Sequence, residues 1–338
     1  MKEKIITFGE IMLRLTPPEY NTIVQTNSFI ANFGGGEANV AVILSHLGHK
    51  SYFVSKLPPN QLVDSAIKHL RSHNVNTSYI VRGSSTMGIY FLETGFGGRP
   101  SKVVYNRKHS AITRIKQAEL NYDEIFQDAT WFHVSGISLA LGNKVRQAVF
   151  ACLKACKKYN VTVSFDFNYR SKLWTIEEAR PYYKEVIPYV DVLFSSYFDM
   201  TTILEYPENN NITDPIQKRI DIFQRLMNEH DISYVFGTDR TVYTANENSL
   251  SAFCISKKES LSAEPIKFNI YDRIGGGDAF ASGVIHGLIK DFNNPKYALD
   301  FGLATSVLKH TLYGDVCTLS EEDIKTFMKT NGTGRVQR

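Results

Sequence analysis

Short apolar runs alternate with amphipathic segments along most of this chain, and that alternation constrains the fold more than any other feature. A strand-like run at residues 52–54 is followed by a segment with apolar residues every three or four positions, then by another strand-like run near 79–81. Further candidates for buried strands are residues 5–8, 131–135, 161–165, 190–194 and 234–237. Strands that alternate with helices favour a parallel sheet covered by helices, so the sequence predicts an α/β fold.

Two regions break this rhythm and predict a small β lid over the main sheet. Residues 11–33 show no helical period and contain Pro17-Pro18, which favours short strands and turns. Residues 87–93 and 102–106 are typical of two strands of a hairpin, joined by a glycine-rich loop. We place the lid at about 11–33 and 86–110, within a single domain of residues 1–330. Residues 331–338 form a polar tail.

Composition argues against several classes of protein. The 338 residues are 43% hydrophobic, which suffices for a buried core. The net charge of +4 comes without a long basic run, so a nucleic-acid partner is not expected. No apolar stretch reaches 18 residues, which argues against a membrane span. The beginning of the chain lacks a signal-peptide core and the four cysteines form no Cys-x-x-Cys pair, so we expect a cytoplasmic protein with reduced thiols.

Three consecutive glycines, Gly275, Gly276 and Gly277, stand directly before Asp278 and an apolar helix pattern that begins at Phe280. At a helix N-terminus the first backbone N–H groups are unpaired, and without side chains an anion can approach them closely. The carboxylate of Asp278 would repel that anion. Its position makes sense if Asp278 accepts a proton from the group that attacks the anion. This is the arrangement needed for phosphoryl transfer to an alcohol, and a glycine-rich loop with a capping aspartate is the alternative.

A second glycine run, Gly34-Gly35-Gly36, opens the helix pattern that contains Asn39. It suggests a second close approach of the backbone to a ligand, and a tight strand-to-helix turn is an equal alternative.

Polar residues follow two of the other predicted strands. Asp166, Asn168 and Arg170 point to one side if the extended geometry of strand 161–165 persists beyond its end. Ligands of doubly wound sheets bind beyond the carboxyl ends of strands, so this trio is well placed to contact a ligand.

On the lid, Tyr105 and Arg107 share a face, where a cation beside a phenol could bind an acid. Spacing alone favours an ordinary exposed arginine and a half-buried tyrosine instead.

Residues 272–285 resemble the C-terminal signature of the ribokinase-like sugar kinases, also called the phosphofructokinase B family, and residues 34–39 resemble its N-terminal signature. The resemblance covers about residues 5–315. It implies a three-layer sandwich, with a mostly parallel central sheet, helices on both faces and a β lid. It also implies ATP-dependent phosphorylation of a sugar's primary hydroxyl with Mg²⁺ bridging the phosphates. Residues 275–277 would be the anion hole and Asp278 the catalytic base.

Within the family, residues 34–39, 105–107 and 166–174 are most similar to members that phosphorylate 2-keto-3-deoxygluconate. The implied substrate is a sugar acid, whose carboxylate and incoming phosphate would face Arg107 and Arg170. The implied sugar site consists of Gly34, Gly35, Asn39, Tyr90, Tyr105, Arg107, Arg170, Asp278 and Asp315. The alternatives are a family member that acts on fructose, ribose or 5-keto-2-deoxygluconate, and a non-catalytic module that senses sugar or nucleotide.

The resemblance implies a nucleotide site at Asn168, Arg170, Ser196, Gly237, Thr238, Asp239, Arg240, Thr241 and residues 275–278. This chain departs from the family pattern twice. The usual Asn-x-x-Glu is replaced by Ser196-Tyr197-Phe198-Asp199, so Asp199 is expected to act on the metal indirectly. The nucleotide loop of the family usually has two glycines, and here residues 237–240 contain only Gly237. Arg240 lies either near a phosphate or, as we favour, in solvent. The family likeness also implies a homo-oligomer that pairs through the lid.

Overall fold

The computed structural model describes residues 3–330 of the chain. Within that range, thirteen strands form two separate sheets, accompanied by ten α-helices. The strands are β1 (Lys4–Phe8), β2 (Met12–Thr16), β3 (Ile30–Gly34), β4 (Lys50–Leu57), β5 (Ile80–Arg82), β6 (Ile89–Glu93), β7 (Lys102–Asn106), β8 (Trp131–Ser135), β9 (Thr162–Asp166), β10 (Val192–Phe194), β11 (Tyr234–Val242), β12 (Glu247–Ser256) and β13 (Ser260–Asn269). The helices are α1 (Gly36–His46), α2 (Gln61–Ser72), α3 (Tyr122–Phe126), α4 (Gly136–Ala140), α5 (Asn143–Tyr159), α6 (Ile176–Val186), α7 (Pro215–Glu229), α8 (Gly276–Lys290), α9 (Pro295–Lys309) and α10 (Glu321–Thr330).

The larger sheet has nine strands in the order β13-β12-β11-β10-β9-β8-β1-β4-β5. The strands from β11 to β5 are all parallel, and β12 and β13 extend the sheet in antiparallel pairs. The chain starts in the middle at β1, runs outward through β4 and β5, and then returns to β8 on the other side of β1. This reversal of strand order opens a crevice for ligands at the carboxyl ends of the strands.

Helices cover both faces of this sheet, so its strands are apolar on both sides. In β1, Ile5 belongs to the core beneath α8 and α9, whereas Ile6 belongs to the core beneath α5 and α6. The helices α1, α2 and α10 complete the first layer, and α3, α4 and α7 complete the second. The predicted three-layer arrangement is therefore confirmed.

The remaining four strands form a small separate sheet in the order β3-β2-β6-β7. The predicted hairpin is confirmed as the antiparallel pair β6–β7, and the short strands expected between residues 11 and 33 are β2 and β3. Met12, Tyr90 and Leu92 pack with Ile274, which lies in the loop before α8. The small sheet, hereafter the lid, therefore rests on the segment that leads into the glycine turn.

Several elements differ from the sequence-based expectations. The strand predicted at residues 234–237 is longer in the structure, where β11 continues unbroken through Val242. The edge strand β13 was not predicted. It contains Pro265 opposite a shift in register with β12, because a proline cannot donate a ladder hydrogen bond. The predicted polar tail, residues 331–338, lies outside the described residues, and the single-domain boundary stays a prediction.

Two further observations concern the helices and the cysteines. Among residues 3–330, none of the helices combines the length and the apolar character needed to cross a lipid bilayer. The four cysteines, Cys152, Cys156, Cys254 and Cys317, are buried and form no disulfide with one another.

A buried cluster of charges fastens the lid to the body of the protein. Arg14 of β2 is fully buried, and its guanidinium lies 2.5 Å from Asp272 Oδ2 and 2.5 Å from Asp315 Oδ1. Its Nε donates to Thr16 Oγ1, and the hydroxyl of Tyr90 in β6 donates to Asp315. Two lid strands are thereby joined to residues that flank α8 and α9 in sequence.

Replacing Arg14 with Met should destabilise the protein by about 3–5 kcal/mol, because two buried carboxylates would lose their compensating charge. The matched control is Arg82→Met, since Arg82 forms an ion pair with Asp64 at the surface and its loss should cost less than about 1 kcal/mol. Urea-induced unfolding measures both values. Equal losses for the two variants would contradict a structural role for the buried cluster.

Candidate active site

The carboxyl ends of neighbouring parallel strands deliver a ring of polar residues to the crevice. Glu10 follows β1, Ser135 ends β8 and Asp166 ends β9. Ser195 and Ser196 follow β10, the next strand along the sheet. These residues are far apart in sequence, and the parallel order of the sheet brings them to one edge.

The glycine turn opens α8 as the sequence predicted. Gly275 has φ +83°, and a Cβ there would lie 1.8 Å from the carbonyl oxygen of Asp315, so only glycine fits. Gly277 is exposed with open space where a side chain would stand. Asp272 holds the approach to the turn, since its carboxylate accepts hydrogen bonds from the backbone N–H groups of Ile274 (3.1 Å) and Gly314 (3.0 Å). The first N–H groups of α8 are thus presented to an open cleft.

Asp278 and Asn39 meet where the two glycine runs converge. Asn39 Nδ2 donates to Asp278 Oδ2 at 2.7 Å, and Asn39 Oδ1 accepts from Gly35 N at 3.2 Å. Desolvation raises the pKa of Asp278 to about 7, although the hydrogen bond from Asn39 opposes the rise. A carboxyl group with this pKa is suited to accept a proton at neutral pH.

The Asp166-Asn168-Arg170 trio is arranged differently from the extended geometry that we predicted. Asn168 adopts a left-handed conformation with φ +39°, and its backbone N–H donates to Asp166 Oδ1 at 3.1 Å. The chain therefore turns directly after β9. Arg170 is exposed, and its positive charge lowers the pKa values of both Asp166 and Asp278. The trio still surrounds the same space as Asp278, by way of a turn rather than a strand.

Burial raises the pKa of Asp166 to about 7, and the nearby charge of Asp278 adds to the rise. Glu37 of α1 is a further carboxyl group in this region, and its pKa is also raised by burial. Its Oε1 accepts hydrogen bonds from Ser135 and Ser138, and its buried Oε2 has no hydrogen-bond partner within the described range, residues 3–330. The carboxyl groups thus crowd one end of the crevice.

A cleft extends from Asp166 past the carboxyl end of β10 and the middle of β11 to the glycine turn. Its lining residues are Asp166, Phe194, Ser195, Ser196, Asp199, Phe236, Gly237, Thr238, Gly277, Phe280 and Ala281. Asp199 begins a π-helical turn, and its Oδ2 accepts from Ser196 N (2.7 Å) and Ser196 Oγ (2.8 Å). Within residues 3–330, no group of three or more His, Cys, Asp or Glu side chains is arranged to hold a metal by itself.

Alternation along β11 divides the residues predicted for the nucleotide. Thr238 lines the cleft. Asp239 points to the opposite face, where its Oδ2 lies 2.7 Å from Arg219 Nη1 of α7, and Thr241 shares that side by alternation. The prediction placed residues 237–240 in one loop and assigned Thr241 to the nucleotide as well, but the continuous strand β11 separates these residues between two faces.

The interpretation of Arg240 as a solvent-exposed side chain is wrong. The residue is half-buried, and its guanidinium donates to Asn248 Oδ1 at 3.3 Å and to His310 Nε2 at 3.0 Å. The strand pairing of β11 with β12 and the end of α9 enclose it.

On the lid, the exposures of Tyr105 and Arg107 are the reverse of those favoured by spacing. The Arg107 side chain is 9% exposed and forms an ion pair with the buried carboxylate of Glu10, whereas Tyr105 is 43% exposed. The hydroxyl of Ser110 donates to the other oxygen of Glu10, and Arg107 Nε is buried without a hydrogen-bond partner among residues 3–330. Glu10 therefore holds the guanidinium through Nη2 and leaves Nε uncommitted.

Tyr90 and Asp315, both predicted at the sugar site, are buried and bonded to each other. A Cβ on Gly34 would lie 2.1 Å from Asp315 Oδ2, so the Asp315 carboxylate packs beneath the first glycine run. In this structure their polar groups are engaged in the Arg14 cluster, and direct contact with a sugar stays a prediction.

Comparison with known proteins identifies the family. The model of the pfkB family carbohydrate kinases matches residues 2–320. The chain belongs to this family. It is 31% identical over 335 residues to a 2-dehydro-3-deoxygalactonokinase of Haloferax volcanii, with 99% of both chains covered. It is 26% identical to a 2-dehydro-3-deoxygluconokinase of Bacillus subtilis, with 98% of both covered.

A solved structure gives the same result. The crystal structure of 2-dehydro-3-deoxygluconokinase from Thermotoga maritima superposes with a TM-score of 0.92 and 39% sequence identity, covering 97% of this chain and 99% of that one. The protein is a carbohydrate kinase, and the family and fold expected from the two glycine signatures are confirmed.

If Asp278 is the base, activity must depend on its ionised form. The pKa of Asp278 is raised to about 7, so kcat/KM should fall as the pH falls through 7 and approach a tenfold loss per pH unit at lower pH. A profile of kcat/KM from pH 5.5 to 9 tests this, with coupling enzymes in excess at each pH. Glu119→Gln is a suitable control because Glu119 pairs with Lys56 elsewhere. A flat profile down to pH 5.5 would argue against Asp278 as the base.

Proposed function

We propose that this kinase transfers the γ-phosphoryl group of ATP to the primary hydroxyl of a sugar acid, most directly 2-keto-3-deoxygluconate. The observation that carries the proposal is Asp278, which is held by Asn39 beside the open glycine turn. The relatives named for 2-dehydro-3-deoxygluconate and 2-dehydro-3-deoxygalactonate support a sugar acid of this class. The galactonate is the second candidate because the relative of 31% identity is named for it.

In the proposed reaction, Asp278 accepts the hydroxyl proton while the oxygen attacks the γ-phosphorus in line and ADP departs. The backbone N–H groups of residues 275–278 stabilise the charge on the transferring group. General-base assistance of this kind contributes roughly 10²–10⁴ in rate, and positioning and charge stabilisation supply the rest.

Arg107 is proposed to bind the carboxylate of the sugar acid. Its ion pair with Glu10 holds the guanidinium, and among the described residues Nε has no hydrogen-bond partner. Arg170 adds an exposed cation close enough to Asp278 to lower its pKa, and no carboxylate within residues 3–330 forms an ion pair with it. A guanidinium whose other donors are already oriented loses little further freedom on binding an anion.

The cleft lined by Ser196, Thr238 and Gly277 is proposed to bind ATP. Asp166 and Asp199 supply carboxylate oxygens at its inner end, which is the donor chemistry suited to Mg²⁺ held mainly by phosphates and water. When bound, Mg²⁺ would offset the negative charge of the phosphates. Asp166 and Asp199 would orient its water ligands, consistent with the indirect role expected for Asp199.

We further propose a cytoplasmic homo-oligomer that pairs through the lid. The edge strands β3 and β7 expose Ile30 (40%), Val104 (55%) and Tyr105 (43%), an apolar set suited to burial against a second copy. Light scattering coupled to size-exclusion chromatography measures the oligomeric state.

An ADP-release assay with Mg·ATP tests the function. The substrates are 2-keto-3-deoxygluconate, 2-keto-3-deoxygalactonate, 5-keto-2-deoxygluconate, fructose and ribose. Asp278→Asn should lower kcat for the preferred acid by about 10²–10⁴ while sugar binding survives. Asp239→Asn is the control, since Asp239 lies on the opposite face of β11. Near-normal turnover of the Asp278 variant would exclude the base assignment, and no turnover by the wild type with any substrate would favour the sensing module.

Arg107→Ala should weaken binding of the sugar acid by about 1.5–3 kcal/mol, because a hydrogen bond to a charged group is lost. The loss should appear mainly in KM for the acid, with little change in KM for ATP. Arg99→Ala serves as a control on the same lid, since the Arg99 side chain donates to the backbone carbonyl of Tyr20, away from Glu10 and Arg107. An equal loss for fructose would show that Arg107 does not recognise the carboxylate.

A further inference from the structure

Arg240 is a half-buried cation without a counter-ion. Both groups that accept its hydrogen bonds, Asn248 Oδ1 and His310 Nε2, are neutral, and its guanidinium carbon lies 5.9 Å from the centre of the Phe268 ring. No carboxylate within residues 3–330 forms an ion pair with it. Burial and the nearby charge of Arg273 lower its pKa to about 10, so it stays charged at neutral pH. A partly desolvated charge of this kind is costly unless an anion compensates it.

His310 orients Arg240 without cancelling its charge. The imidazole is buried, and its Nδ1 lies 2.6 Å from the carbonyl oxygen of Ser306, so Nδ1 carries the proton and Nε2 accepts from Arg240. Burial and the adjacent cations lower the pKa of His310 to about 3, so it remains neutral. A Cβ on Gly276 would lie 2.3 Å from His310 Cε1, so the ring packs against the first residue of α8. Arg240 is thereby attached to the glycine turn through one side chain.

Strand geometry directs Arg240 to the nucleotide side of the sheet. Residues two apart in a strand share a face, so Arg240 lies on the same side as Thr238, which lines the cleft together with Gly277. Asp239, between them, points to the other side and pairs with Arg219. The cation therefore lies on the same face of β11 as the cleft-lining Thr238, and its partner His310 packs against Gly276 at the N-terminus of α8.

We propose that Arg240 and Arg273 form a cation pair that binds the phosphates of the nucleoside di- or triphosphate in this cleft, with His310 as a positioning residue. Arg273 is exposed, lies two residues before the glycine turn and, within residues 3–330, forms no ion pair. This inference rests on the proposed nucleotide site. Guanidinium donors match phosphate oxygens, and a fixed cation stabilises the charge on a transferring phosphoryl group.

The test compares the binding of ADP, which carries phosphates, with that of adenosine, which does not. Arg240→Gln removes the charge and Arg240→Lys keeps it. The control Arg219→Gln removes the cation of α7 that pairs with Asp239 on the opposite face of β11. Isothermal titration calorimetry measures the affinity for ADP, and ligand-observed NMR measures the affinity for adenosine. Arg240→Gln should weaken ADP binding about 10- to 100-fold and leave adenosine binding unchanged, because only charge-assisted bonds to phosphate are lost. Arg240→Lys should bind ADP with intermediate affinity, and Arg219→Gln should match the wild type.

Wild-type affinity of Arg240→Gln for ADP would overturn the proposal. So would an equal loss of ADP and adenosine binding, since that pattern indicates a structural role at β11. If Arg240→Gln does not fold, Arg273→Gln decides, and unchanged ADP affinity in that variant would also overturn the pair. ADP binding needs no sugar, so these results are independent of the sugar-acid assay, whose failure would reject the proposed substrate instead.

Discussion

The buried ion pairs of Arg14 with Asp272 and Asp315 are the contacts on which the site's geometry depends. Each aspartate does more than neutralise the guanidinium. Asp272 accepts backbone N–H groups on both sides of α8 and α9, and the backbone of Asp315 packs against Gly275. Because a buried charge needs its full set of partners, the lid, the glycine turn and the late loop are held as one unit. The glycine turn before α8 is therefore held in place by a lid strand that is distant in sequence.

The buried carboxyl groups of the site lower the stability of the folded protein when they ionise. Burial raises the pKa values of Asp166 and Asp278 to about 7, above the ordinary range of an aspartate. The folded protein binds these protons more tightly than the unfolded chain, so the stability they contribute is complete below about pH 4 and is lost as the pH rises through 7. In the proposed reaction, the same ionisation would prepare Asp278 to accept a proton. The proposed activity and the stability would then have opposite pH dependence at this position.

The sequence predicted the parts of the fold that depend on local pattern. β8 has the predicted limits, and the glycine turn before Asp278 opens a helix as expected. A helix such as α6 could also have been found, since Thr175 and Glu178 form a capping box at its start. Contacts between residues that are far apart in sequence could not be predicted from local pattern. Arg14 meets residues 258 and 301 positions away, and nothing in its neighbours signals that it is buried.

The same limit explains the errors at the site. Arg107 was taken as exposed because its partner, Glu10, lies 97 residues earlier in the chain. The left-handed conformation of Asn168 cannot be inferred from a strand period. Side-chain alternation in β11, once seen, separates Arg240 from Asp239, which the sequence had placed together in one loop.

The central claim is that one crevice holds a sugar acid between the lid and the glycine turn, with its primary hydroxyl against Asp278. A crystal structure with 2-keto-3-deoxygluconate and a non-hydrolysable ATP analogue tests it most directly. The account predicts the hydroxyl oxygen within about 2.6–3.2 Å of the Asp278 carboxylate and the sugar carboxylate bonded to Arg107 or Arg170. A sugar bound with its carboxylate toward Asp278, or outside the lid, would contradict it.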